Sequence, residues 1–253
     1  MQKITLKSHA KINLALDILG IENEYHFIQT VYQKIDMHDE VTIELNDSGE
    51  IQCDGKLATQ AAKTFFEKIG SKKGVTITIQ KNIPYYSGLG GASSNAAAVL
   101  RGLSELFQNP LSQKELFEIA EKLGMDVPFF ASGCDTALGT HFGEKITKLP
   151  QCPKLNYEFY FPEAKKSSTK DMYEKLDLAK CGKNTNKTEK LITALKEKDE
   201  NAILQNIHND FEQLWPKPKS HTSHITSHTF LTGAGPTWVI IPPPVAPSSP
   251  SQA

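Results

Sequence analysis

Apolar and polar positions alternate through the first eighty residues, the period of strands whose two faces differ. Ile12, Leu14, Leu16 and Ile18 alternate with Asn13, Ala15 and Asp17. The spacing predicts one long strand with an apolar face and a more polar face carrying Lys11, Asn13, Ala15 and Asp17. Val41, Ile43 and Leu45, then Val75, Ile77 and Ile79, repeat the pattern with β-branched residues, which suit a pleated sheet. Between them residues 57–69 read as a helix closed by Gly70. A small-residue loop over 82–94 runs directly into a second helix, marked by Leu100, Leu103, Leu106 and Phe107 at helical spacing. Ser112 and Glu115 form a capping box for a third helix, with Leu116, Ala120 and Leu123 as its buried stripe and Gly124 as its stop. Beyond residue 150 the pattern gives a strand at 157–161, a polar linker and a helical stretch from Thr188 to about Leu214. The apolar run Trp238-Val239-Ile240-Ile241 comes last.

Strands grouped before helices predict an α+β fold with helices covering an antiparallel-rich sheet. The 253 residues allow one large domain or two small ones. We divide the chain into residues 1–150, a smaller α+β unit over 151–241, and a proline-rich end over 242–253 expected to be disordered. Lys and Arg (28) balance Asp and Glu (29), which argues against a polyanion-coating, nucleic-acid-binding protein but leaves room for a local basic pocket. No apolar run approaches the roughly 20 residues that span a bilayer, and no apolar signal segment follows Lys3. Cys53, Cys134, Cys152 and Cys181 are scattered and read as reduced thiols. The expectation is a cytoplasmic protein, monomeric or homodimeric, without membrane partners.

Three segments carry candidate chemistry. In Gly88-Leu89-Gly90-Gly91-Ala92-Ser93-Ser94, small residues let a ligand approach the backbone, and the free amides of the helix that follows suit a phosphate group. The plainer alternative is a flexible turn before a helix cap. Lys11, taken alone, reads as a surface lysine beside a strand. Asp126, between Gly124 and Val127-Pro128-Phe129-Phe130, reads either as an N-cap or as a carboxylate whose aromatic walls alter its proton affinity, able to take a proton from an alcohol. His221, His224 and His228 would align on a helix as metal ligands, but the Ser and Thr residues around them favour a solvated loop.

Together these segments resemble the GHMP kinase superfamily, over about residues 3–241, and most closely its branch whose acceptor alcohol carries a cytidine diphosphate. The resemblance rests on Ala10-Lys11-Ile12-Asn13-Leu14 with Tyr25-His26 and Gln33-x-Ile35-Asp36, and on Pro84 to Ser94 continuing as Asn95-Ala96-Ala97. It rests also on Gly124-x-Asp126-Val127-Pro128-Phe129 and on Thr232-Gly233-Ala234-Gly235-Pro236-Thr237. It implies transfer of the γ-phosphoryl of ATP to the 2-hydroxyl of a cytidyl-diphospho-methylerythritol in non-mevalonate isoprenoid synthesis. The alternatives are another small alcohol, homoserine- or mevalonate-like, or a catalytically impaired nucleotide binder. The same resemblance makes Asp126 the base and Lys11 its cationic neighbour. It assigns ATP to Pro84, Tyr85, Tyr86, Ser87, Gly88, Leu89, Gly90, Gly91, Ala92, Ser93 and Ser94. Substrate falls to Asn13, Tyr25, His26, Thr169 and Tyr173, and the late glycine loop to Gly233 and Gly235. Mg²⁺ would arrive with ATP, with Ser94 as the protein group offered to it. The chain departs from the family pattern in having Asn23-Glu24 in place of Asp-Gly, Ala92 at a position that is often Gly or Ser, and prolines from Pro242 onward where a helix and strand are usual.

Overall fold

The computed structural model describes residues 2–164, 168–218 and 228–243. Its opening is a long antiparallel pair, β1 (Lys3–Glu22) and β2 (Tyr25–Asn46), joined by Asn23 and Glu24. Both turn residues have positive φ, 49° and 69°, as a two-residue turn matched to strand twist requires. Asn tolerates that region and Glu does not. Glu24→Gly is therefore expected to stabilise the chain by about 1 kcal/mol or somewhat less, seen as a higher melting temperature.

β3 (Ile51–Gln52), α1 (Lys56–Ile69) and β4 (Gly74–Gln80) follow, with β4 antiparallel to the second half of β2 and parallel to β3. Next come α2 (Gly91–Leu106), α3 (Gln113–Leu123) with the expected Ser112–Glu115 capping box, and the short α4 (Val127–Ala131). Ile119, Ala120 and Leu123 form the buried stripe of α3, while Leu116 is partly buried. β5 (Thr136–Thr140) pairs with the first half of β2 and with β6 (Lys145–Lys148). Val41, Ile43, Phe65, Val75, Ala97 and Leu100 lie in one core between this sheet and the helices.

β7 (Glu158–Tyr160) begins the remainder, followed by α5 (Thr169–Glu174). The helical stretch expected from Thr188 to Leu214 is broken. It contains α6 (Thr185–Glu197), α7 (Glu200–Asn206), β8 (His208–Asn209) and a 3₁₀ turn over Asp210–Leu214. Lys198 turns left-handed at φ 57°, and the Asp199 side chain caps α7 by accepting from the Ala202 amide. β8 returns to the large sheet, parallel to β1. β9 (His228–Leu231) and β10 (Trp238–Ile241) form a three-stranded sheet with β7, in the order β7-β10-β9. His228 thus opens a strand rather than lying in a loop. His221 and His224 fall outside the described residues, as do residues 244–253 of the proline-rich end.

The fold is α+β, as the grouping of elements predicts, but the two-faced reading of β1 needs correction. All of residues 10–18 are buried, Lys11, Asn13 and Asp17 included. The pairing register slips between Asn13 and Ala15, so Leu14 sits in a bulge. The bulge shifts the alternation by one residue. Ile12, Leu14 and Ala15 share a core with Leu191 and Leu195, whereas Leu16 and Ile18 pack with Met172 and Phe211 on the other face. Asp17 then faces α6 and β8, accepting from the Thr188 hydroxyl at 2.6 Å and lying 3.0 Å from His208 Nε2. Among the described residues no helix is long and apolar enough to cross a membrane.

Candidate active site

A cleft of about 860 Å³ collects residues that lie far apart in the chain. Lys11 and Asn13 come from β1, Asp126 from the start of α4, and Thr169 and Tyr173 from α5. Pro84 to Gly88 and Gly90 to Ser93 bring the glycine loop, and Gly233 the late one.

Lys11 is buried with its side chain only 4% exposed, which sets aside the surface-lysine reading. Its ammonium donates to Asn13 Oδ1 at 2.7 Å and lies 3.6 Å from Asp126 Oδ2. The backbone of Lys11 also binds the loop, its amide donating to the Leu89 carbonyl at 3.0 Å. Asp126 stands at the capping position of α4, but its backbone is already helical and its side chain caps nothing. Instead Oδ1 accepts from the Tyr32 hydroxyl at 3.0 Å. A carboxylate that spends no oxygen on a helix end is available for chemistry.

The glycine loop ends at Gly90, the residue before α2, with φ 73°. No side chain caps this helix and no acidic residue lies in its first turn. Its first amides therefore keep their partial positive charge at the cleft. Two glycines hold the loop against the late glycine segment. A Cβ on Gly88 would lie 2.8 Å from the Thr232 carbonyl oxygen, and one on Gly233 would lie 2.7 Å from that of Gly88. Asn13 completes the joint, its amide donating to Thr232 Oγ1 at 3.1 Å and its Oδ1 accepting from the Gly233 amide at 3.0 Å.

Not every expected residue reaches the cleft. Leu89 is fully buried in the core around Ile12 and Leu14. Ser94 is buried, its hydroxyl accepting from Ser8 at 2.7 Å, so Ser93 is the loop serine that opens on the cleft. Gly235 packs on Trp215, where a Cβ would approach the indole nitrogen to 2.4 Å. Tyr25 and His26 stand at the hairpin end outside the cleft lining. The Tyr25 ring, 55% exposed, is 5.2 Å from Phe142, and His26 is 4.5 Å from Tyr173. Burial lowers the His26 pKa, leaving the ring neutral near pH 7 and able both to donate and to accept.

Residues 56–134 match the family described as GHMP kinases N terminal domain. A 4-diphosphocytidyl-2-C-methyl-D-erythritol kinase of Caldicellulosiruptor saccharolyticus is 41% identical over 250 residues, covering 91% of this chain and 85% of the relative. The chain belongs to the 4-diphosphocytidyl-2-C-methyl-D-erythritol kinase family. A member from Caldicellulosiruptor bescii is 43% identical over 218 residues, covering 82% of this chain and 75% of its own length. A crystal structure titled 4-(cytidine 5'-diphospho)-2C-methyl-D-erythritol kinase superposes with a TM-score of 0.77 at 27% identity, covering 94% of this chain and 90% of that one. Membership makes the chain an ATP-dependent kinase of the GHMP type.

Two groups beside this kinase cleft escaped the pattern reading. Tyr32 is a buried aromatic on a strand and looks like core until its hydroxyl is located. Asp39, fully buried, anchors the entry to the glycine loop: Oδ1 accepts from the Asn82 and Ile83 amides, each at 2.8 Å, and Oδ2 accepts from Lys81 and from Asn95 Nδ2. Asp39 carried no distinct signal, because Asp36 and Glu40 lie beside it in the same strand and only its burial sets it apart. The four cysteines are free, and burial pushes the Cys152 thiol up to about 11, so that thiol is inert near pH 7.

Proposed function

We propose that the chain transfers the γ-phosphoryl group of ATP to the 2-hydroxyl of 4-diphosphocytidyl-2-C-methyl-D-erythritol, a step of non-mevalonate isoprenoid precursor synthesis. The observation that carries this reading is the convergence of Lys11, Asp126 and the uncapped start of α2 on one cleft. Phosphoryl transfer asks for positioning and charge neutralisation more than covalent chemistry from the protein.

Asp126 takes the proton of the acceptor hydroxyl through Oδ2, the oxygen that faces Lys11. Lys11 stabilises the alkoxide as it forms, and its burial strengthens that field. The amides at the start of α2 and the backbone of residues 87–91 hold the nucleotide phosphates, with Lys81 adding a cation to the same wall. Mg²⁺ would arrive with ATP, the Ser93 hydroxyl in the cleft would be the protein group that holds it, and it would supply charge neutralisation to the transfer. The acceptor's cytosine enters at the hairpin end, stacking on Tyr25 with Tyr173 closing the other side, His26 at its edge and Asn13 and Thr169 on the sugar side. Base stacking of this kind is worth about 1–3 kcal/mol.

The test is ATP consumption by purified protein with each acceptor in turn. The cytidyl substrate is expected to drive ATP turnover, with homoserine and mevalonate at background. Transfer to either of those instead would replace this acceptor, and tight ATP binding without transfer to any would reduce the protein to a nucleotide binder.

A further inference from the structure

We infer that Tyr32 is a positioning residue for Asp126, anchoring Oδ1 so that Oδ2 is the oxygen presented to the acceptor hydroxyl. The inference rests on the reading of Asp126 as the base. The two carboxylate oxygens are held differently: Oδ1 accepts from the Tyr32 hydroxyl at 3.0 Å, and Oδ2 lies 3.6 Å from Lys11 Nζ. Without an anchor the carboxylate could rotate about its Cβ–Cγ bond and draw either oxygen toward the ammonium, trading reach for charge pairing. The phenol removes that freedom.

Tyr32 has one hydroxyl proton and two acceptors within reach, Asp126 Oδ1 at 3.0 Å and the Gly143 carbonyl at 3.4 Å, and the shorter bond, to the carboxylate, is the stronger. It is 1% exposed, on the stretch of β2 that lies between β1 and β5. Its ring stacks on Phe129, one turn of chain from Asp126, with centroids 4.8 Å apart. The Lys11 ammonium lies 5.6 Å from the same ring, so one side chain touches both charged groups of the site. The fold leaves room for the ring at two glycines. A Cβ on Gly139 would fall 2.5 Å from Tyr32 Cε2, and one on Gly143 would fall 2.8 Å from its hydroxyl oxygen. Burial, with Asp126 nearby, raises the Tyr32 pKa well above its ordinary value, so the phenol stays a donor at every pH at which the enzyme would be assayed.

The experiment compares Tyr32→Phe, Asp126→Asn and the double variant for kcat, for KM of ATP and acceptor, and for melting temperature. Tyr32→Phe is expected to lower kcat about 10–100-fold, the scale on which a misplaced catalytic group costs rate, while both KM values stay within about threefold of wild type. In the Asp126→Asn background the same change is expected to cost nothing further. A loss that multiplies undiminished in that background would mean that the phenol acts elsewhere, and an unchanged kcat in Tyr32→Phe would overturn the inference outright. Should Tyr32→Phe melt early, a 3-fluorotyrosine at position 32, which keeps the hydroxyl and makes it a more acidic donor at the cost of slight added bulk, decides: a changed kcat with both KM values held supports the inference, and an unchanged kcat overturns it. Wild-type turnover in Asp126→Asn would instead remove the base reading, an outcome separate from the failure of Tyr32 alone.

Discussion

Asp126→Asn is expected to lower kcat by about 10²–10⁴-fold, the share a positioned general base supplies, while ATP binds as in wild type. The substitution is close to isosteric. An amide oxygen at the Oδ1 place still accepts from Tyr32 at the 3.0 Å seen for the carboxylate, so the start of α4 keeps its anchor. What goes is the oxygen facing Lys11, replaced by an NH₂ group that accepts no proton and points a donor at an ammonium 3.6 Å away. The nucleotide phosphates are read by other elements, the start of α2 and the loop before it, so the dissociation constant for ATP is the internal control. Single-turnover transfer with ATP and acceptor saturating separates the chemical step from release. Turnover near wild type would exclude Asp126 as base. A lost affinity for ATP with an intact chemical step would move it from proton transfer to binding.

The parts of this molecule that were legible in the sequence are those decided within a few residues. The capping box Ser112–Glu115, the stop at Gly70 and the entry to α2 after Gly90 all sit where local rules put them. The first two depend on backbone groups that find a partner inside one turn of chain, and the third on a glycine whose positive φ turns the loop into the helix. What the pattern missed was decided by partners distant in sequence. The bulge at Leu14 exists because β1 must register with β2 on both sides of it, and it moves Leu16 and Ile18 to the opposite face. The apparent continuity of 188–214 concealed a left-handed Lys198 and a strand that closes on β1. In the site, Lys11 and Asp126 were legible through their motifs, not through their periodicity, which by itself made one a surface residue and left the other open. Leu89, Ser94 and Gly235 belong to the same motifs but are used for packing, a division that motif spacing does not encode. Tyr32 had no sequence signal beyond being an aromatic residue in a strand, because its function lies in one hydroxyl and in where that hydroxyl points.

Asp39→Asn is expected to cost about 3–5 kcal/mol of stability, the range for removing one partner of a buried ionic network. At this chain length that lowers the melting temperature by on the order of 10 °C. The carboxylate is fully buried and takes four donors, two backbone amides on one oxygen and Lys81 with Asn95 on the other. An amide at that place turns one of the two acceptors into a donor, leaving either the Asn82 and Ile83 amides or the Lys81 ammonium facing it unpaired. The dependence on pH identifies the source. Burial alone would raise the Asp39 pKa, but the Ile83 amide, Lys81, the Asn82 amide and Asn95 outweigh it and hold it below the ordinary carboxylate value. An acid that is stronger folded than unfolded stabilises the fold at pH above its unfolded value, about 3.9, and loses that contribution as pH falls through its lower folded value. The gap between wild type and Asp39→Asn in denaturant melts is therefore expected to be widest above about pH 4 and to narrow toward pH 2. A gap that stays constant over that range would assign the loss to packing rather than to charge. Because the same carboxylate fixes Asn82 and Ile83 just before Pro84, and Asn95 in the first turns of α2, the variant that still folds is expected to raise KM for ATP more than it lowers kcat. That split would tie the buried acid to the shape of the phosphate loop and not only to the endurance of the fold.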